Sequence, residues 1–187
     1  MRSRPFQRVS ATAVGMAFGI LLSGGLVVVL MVAMFRGVGD SPLGATDASF
    51  EIAADFTLPS FDGGSFTLSE YADGPVFVYF WASWCTPCVR EAPLIERLWP
   101  EYEAAGYAFV GVNVQDSERD ARAFIERFSV TFPTVFDRGE GVYLDYGVFG
   151  LPEAFFLRPG LVVNQKFLGE LVEGELRDML RRIDVES

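Results

Sequence analysis

Cys85 and Cys88 stand three apart in "FWASWCTPC" and are the only cysteines in the 187 residues. Three chemistries use such a pair. A tetrahedral metal site needs two further sulfur or nitrogen ligands. The chain has no histidine, so zinc or an iron–sulfur cluster would need ligands from a second subunit. A structural staple gains little here, because closing so small a loop contributes only about 2 kcal/mol in the chain-entropy picture. Thiol–disulfide exchange remains. One thiolate attacks a target disulfide, and the second thiol resolves the mixed disulfide that forms. The redox group is then the cysteine pair itself, with no metal and no bound cofactor.

The elements around the pair assign the roles. "PVFVYFW" (Pro75–Trp81) is a continuous aromatic and β-branched run, as expected of a central strand covered on both faces. The pair follows it directly and opens a helix. Cys85 therefore lies at or near the helix N-cap, where free N–H groups and the helix dipole favour a thiolate. Pro87 falls in the first turn, where its missing N–H costs little. Cys88 lies one turn in, more shielded. Cys85 is thus the expected nucleophile, exposed for attack, and Cys88 the resolving thiol. The helix is read over "VREAPLIERLWPEYEAAG", with Leu94, Leu98 and Tyr102 along one side and Gly106 as its stop. Pro93 and Pro100 predict a kink or a break in it.

Other segments complete a mixed α/β sheet with helices on its faces. "DFTLPSFDGGSFTLSEY" alternates around "DGG", which predicts a hairpin or a pair of short strands. "YAFVGVNV" reads as a second buried strand and "SERDARAFIERF" as a helix capped by Ser117. "FPTVFD" is a third short strand, and "GEGVYLDYGV" a short helix or turn. "EAFFLRPGLVVNQKFLGEL" reads as two strands joined at Pro159-Gly160. "EGELRDMLRRI" is an amphipathic helix with Leu176, Leu180 and Ile183 on one stripe.

The N-terminus speaks to location. Arg2, Arg4 and Arg8 precede an uncharged apolar run from Val9 to Phe35, closed by Arg36. Roughly 20 such residues cross a bilayer core, so residues 9–35 read as one transmembrane helix. The arginine bias places residues 1–8 in the cytoplasm and the rest outside it. A cleaved secretory signal is the rival, but its apolar region is usually about 7–15 residues long. Residues 36–51, rich in Gly, Ser, Ala and Asp, read as a flexible linker, and 52–187 as one domain. All 25 acidic residues follow Arg36, with 11 of the 15 basic ones once Arg2, Arg4, Arg8 and Arg36 are set aside, a net charge of −14. That excludes a nucleic-acid partner, which needs a basic footprint.

"FWASWCTPCVREAP", with "DFTLPSFDGGSFTLSEY", "GVNVQDS" and "GVFGLPEAFFL", resembles the thioredoxin superfamily, in particular its membrane-anchored TlpA/ResA/CcmG (DsbE) branch. The likeness runs from about Asp55 to the C-terminus. It implies a thioredoxin-like fold and an extracytoplasmic thiol–disulfide oxidoreductase, generally reducing. Several members of the branch act in cytochrome c maturation, so a protein disulfide, with apocytochrome c as one target class, is the implied substrate. A transmembrane thiol carrier of the DsbD or CcdA type is the implied electron donor. Glu91 matches the active-site glutamate of the branch and becomes the expected acceptor of the resolving thiol's proton. Pro152 matches the cis-proline that faces the cysteine pair, and Pro93 the helix-kink proline. Trp84, Thr86, Pro87 and Leu151 are the substrate-contact candidates, with Trp84 expected to pack beside Cys85 and limit its access. Two positions depart from the branch. Tyr79 stands where relatives often carry Asp or Asn, removing one buried proton acceptor, and reads as core packing. Arg158 stands where relatives often have Asp, and nothing in the sequence explains it.

Thr86-Pro87 between the cysteines leans toward reduction, while an oxidant or isomerase of the same fold stays open. A peroxiredoxin-type peroxidase is a third reading. The peroxidatic pattern, a Thr three before the cysteine and a Pro four before that Thr, is absent around both cysteines.

Overall fold

The computed structural model describes residues 45–46 and 51–184. The expected cytoplasmic segment 1–8, the membrane span 9–35 and most of the linker lie outside the described residues. Among the described residues no helix is long and apolar enough to cross a membrane.

Six strands form the main sheet in the order β1-β8-β7-β4-β5-β6. They are β1 (Ala45–Thr46), β4 (Val76–Trp81), β5 (Ala108–Asn113), β6 (Thr134–Phe136), β7 (Glu153–Arg158) and β8 (Val162–Leu168). β4, β5 and β6 run parallel, while β7, β8 and β1 are antiparallel to their neighbours. β1 lies inside the segment read as a linker and pairs with Phe167 and Lys166. A separate antiparallel pair, β2 (Thr57–Pro59) and β3 (Ser65–Thr67), forms the expected hairpin around Gly63 and Gly64. Among the described residues there are four α-helices, α1 (Thr86–Ala104), α2 (Glu118–Phe128), α3 (Gly141–Asp145) and α4 (Glu173–Asp184), and a 3-10 turn at Leu68–Tyr71.

β4 is buried along its whole length because strand alternation feeds two cores. Phe77, Tyr79 and Trp81 join one apolar cluster with Ile95, Leu98 and Trp99 of α1, Phe124 of α2 and Leu176, Leu180 and Ile183 of α4. Val76, Val78 and Phe80 join the other, with Phe56 and Phe66 of the hairpin and Val142 of α3. Gly111 on β5 has a specific reason to be glycine. A Cβ there would lie 2.9 Å from the Trp81 indole nitrogen and 3.0 Å from the Phe132 ring.

Of the kink or break expected in the first helix, there is no break. α1 runs unbroken through Pro93 and Pro100. The two prolines are seven residues apart, so they share a face, and both are exposed. The carbonyl that each leaves without an intrahelical partner sits on that same water-facing side. The other helices start as read: the Ser117 hydroxyl accepts the Asp120 N–H and caps α2.

Candidate active site

β4 ends at Trp81, and Ala82–Trp84 lead into α1. Asp116 holds this short connection. Its carboxylate accepts the Ser83 N–H at 2.6 Å, the Ser83 hydroxyl at 2.9 Å and the Asn113 side-chain amide at 3.0 Å. Trp84 leans toward the same loop, donating its indole N–H to the Gln115 carbonyl at 2.7 Å, and is 58% exposed.

Cys85 is the N-cap of α1, as the sequence predicts. Its backbone is extended, and its sulfur accepts the Cys88 N–H at 3.2 Å. The two cysteines are joined as a disulfide. The predicted exposure of Cys85 is not seen in this oxidised form, where Cys85 is 3% accessible and Cys88 wholly buried. A bonded sulfur packs against its partner instead of facing solvent, so attack at Cys85 has a narrow approach. Thr86 is exposed and Pro87 half-buried at the same helix end.

Glu91 lies three residues after Cys88, on the same side of the helix, and is 2% exposed. Its Oε1 accepts the Tyr79 hydroxyl at 2.6 Å, and its Oε2 accepts the Leu171 N–H at 2.7 Å. Burial pushes its pKa up to about 7, and the two hydrogen bonds work against that rise. Burial first, and the neighbouring Glu91 second, push the Tyr79 phenol well above its ordinary value, so it is a neutral donor. Outside this buried group, Arg90 forms a forked ion pair with Glu170, next to Leu171.

The sheet brings Pro152 to the same end of the molecule. Phe80 pairs with Glu153, so the chain leaving β4 toward Cys85 and the chain entering β7 through Pro152 meet there. The Leu151–Pro152 peptide is cis. Leu151 is half-buried against the apolar cluster that contains both cysteines.

Three neighbours of the site escape a sequence reading. Tyr79, read as core packing, is a hydrogen-bonding partner of Glu91. Asp116 appears in the sequence only as part of "GVNVQDS". Glu153 is fully buried, pairs with Lys166 and accepts the Phe149 N–H at 3.2 Å. Glu153 left one signal: a lone carboxylate opening the otherwise apolar run "PEAFF" must find a cation if it is buried.

The arrangement can exchange a disulfide and move one proton. When a donor thiolate attacks Cys85, the Cys85–Cys88 bond breaks and Cys88 leaves as a thiolate. A carboxyl one turn away, titrating near neutrality, can supply its proton and take it back in the reverse direction.

Comparison with known proteins agrees with this chemistry. The AhpC/TSA family matches residues 51–166. The thiol-disulfide oxidoreductase ResA of Geobacillus thermodenitrificans is 35% identical over 131 residues, spanning 70% of this chain and 75% of that protein. ResA of Halalkalibacterium halodurans is 31% identical over 137 residues, 73% of this chain and 78% of that one. Among solved structures, a DsbE-type thiol:disulfide interchange protein from Chlorobium tepidum superposes with a TM-score of 0.68 at 28% identity, covering 74% of this chain and 99% of that chain. The MTB dsbF structure has a TM-score of 0.64 at 26% identity, covering 68% and 94%.

Proposed function

Because the chain belongs to the AhpC/TSA family and is a thiol–disulfide oxidoreductase of the ResA/DsbE kind, we propose that it is a membrane-tethered reductant of protein disulfides outside the cytoplasm. The observation that carries this reading is the Cys85–Cys88 pair at a helix N-cap with the buried Glu91 one turn below it.

In the reducing direction the Cys85 thiolate attacks the target disulfide. A Cys85–target bond forms, and one target sulfur leaves as a thiolate. Cys88 gives its proton to Glu91 and attacks the Cys85 sulfur. The intramolecular disulfide closes, and the second target sulfur is released reduced. Two electrons thus pass from the pair to the target. Leu151, Trp84, Thr86 and Pro87, around the buried Pro152, form the surface on which the target chain lies. Apocytochrome c is the favoured target class, supported by the family likeness. Residues 1–8 are cytoplasmic, 9–35 anchor the chain and 36–51 link the anchor to the 52–187 domain. The length of the apolar run and its arginine bias support this topology. An oxidising exterior requires electrons from across the membrane, so a DsbD- or CcdA-type thiol carrier re-reduces the pair.

Cys88→Ser in the full chain should accumulate mixed disulfides with its targets. A folded Cys88→Ser chain that traps nothing would remove the reductase reading. The potential of the pair separates the directions: near about −270 mV it is a reductant, near about −120 mV a donor of disulfides or an isomerase. The family also holds the peroxidase alternative. Here the two cysteines are bonded to each other, and rapid peroxide consumption by the reduced chain would favour that alternative.

A further inference from the structure

Tyr79 and Glu91 meet across two elements. Tyr79 projects from β4 on the face covered by α1, and its partners on the neighbouring strands are Gly111 and Ala154, both small. The phenol therefore reaches past the sheet and meets the carboxylate of Glu91. We propose that Tyr79 is a positioning residue for thiol exchange: its hydroxyl holds the Glu91 carboxylate in the ionised, proton-accepting form one helical turn from Cys88. This rests on the reading of Glu91 as acceptor of the Cys88 proton.

An ionised carboxylate only accepts hydrogen bonds. Glu91 receives one donor on each oxygen, Tyr79 on Oε1 and the Leu171 N–H on Oε2. The remaining charges around it are Glu170, before α4, which disfavours ionisation, and Arg90 on α1, which favours it. Arg90 is largely committed to Glu170. The two donors are therefore what offsets desolvation. They are not equivalent. A backbone N–H can only donate, whereas a phenol can donate or accept. When Glu91 takes the Cys88 proton, Oε1 is the oxygen whose neighbour can turn from donor to acceptor. Tyr79 thus serves both protonation states. An Asp at this position, as in many relatives, would add a second buried acid. The phenol leaves one acceptor and tunes it.

The test follows oxidation of the fully reduced chain, in detergent, by excess oxidised glutathione between pH 5 and 9. Cys85 first forms a mixed disulfide with glutathione, and closure by Cys88 then expels the second glutathione thiol. In the wild type the closure rate falls as Glu91 becomes protonated. Tyr79→Phe keeps the ring and removes the donor. A hydrogen bond to a charged group corresponds to roughly one to two pH units, so the midpoint should move up by that much and the rate at pH 7 fall about ten-fold. Glu91→Gln should abolish this limb, and adding Tyr79→Phe to it should change nothing further. If Glu91→Gln keeps the wild-type midpoint, the Glu91 reading itself fails. If Glu91→Gln removes the limb while Tyr79→Phe leaves the midpoint in place, or slows the reaction equally at every pH, Tyr79 is packing only and the proposal is overturned. Should Tyr79→Phe not fold, the chain grown with 3-fluorotyrosine, a stronger donor, should move the midpoint down; an unmoved midpoint overturns the proposal.

Discussion

Glu153 on β7 and Lys166 on β8 pair beneath the loop that ends at Pro152. The same two side chains hold that loop at two points. Lys166 donates to the Gly147 carbonyl at 3.2 Å, and Glu153 accepts the Phe149 N–H at 3.2 Å. The segment from Gly147 to Leu151 is thus fastened to the sheet by one charge pair, while the Phe149 ring stays 72% exposed above it. Burial lowers the proton affinity of Lys166.

Lys166→Met leaves the Glu153 charge buried and without its cation. We expect a loss of about 3 kcal/mol in chemical unfolding, since stranding one member of a buried pair is costly. Lys166→Met combined with Glu153→Gln should recover much of it. A loss below about 1 kcal/mol for the single variant would mean that other contacts hold the loop.

Asp116→Ala removes the acceptor of the Ser83 N–H and hydroxyl and of the Asn113 amide. The expected cost is about 2 kcal/mol, the penalty of leaving half-buried donors unmatched. Because Ser83 lies two residues before Cys85, alkylation of the reduced Cys85 should also change rate. Unaltered alkylation kinetics in a destabilised variant would separate loop stability from cysteine presentation.

Glu91 should make stability depend on pH. Its folded pKa, about 7, lies above the unfolded value near 4.5, so the native state binds more protons between the two. The stabilisation is complete below about pH 4.5 and is lost as pH rises through about 7. Relative to Glu91→Gln, the wild type should lose about 3 kcal/mol across that window. Melting temperatures of the two oxidised proteins from pH 4 to 8 provide the check, and parallel curves would remove the linkage.

Gly111→Ala places a methyl group against the Trp81 indole and the Phe132 ring. Overpacking of this kind costs about 1–3 kcal/mol. The shift should be seen in thermal unfolding. Trp81 is the last residue of β4, so the redox potential should stay within a few millivolts of wild type only if the displacement does not reach Cys85.

Much of the redox centre is local and therefore legible in the chain. The three-residue spacing of Cys85 and Cys88, the apolar run before them and Pro87 after them place the pair at a helix start. Glu91 follows on the same helical side by spacing alone. The hairpin at "DGG" and the apolar stripe of α4 are likewise patterns of neighbouring residues. The prolines of α1 show the limit of local rules. Two prolines predict a kink or a break when judged by propensity, but both lie on one solvent face and the helix is not interrupted.

What only the folded chain decides is which distant groups meet. Tyr79 and Glu91 are 12 residues apart, Ser83 and Asp116 33, and Glu91 and Leu171 80. Glu153 and Lys166 meet diagonally because β7 and β8 are neighbours, with Glu153 opposite Leu168 and Lys166 opposite Phe155. Periodicity tells which side of an element a residue occupies. It does not tell which other element covers that side, because that depends on strand order and on the packing of the whole core. The cysteine chemistry was therefore readable from the sequence, while the surroundings that set its proton affinities belong to the tertiary structure.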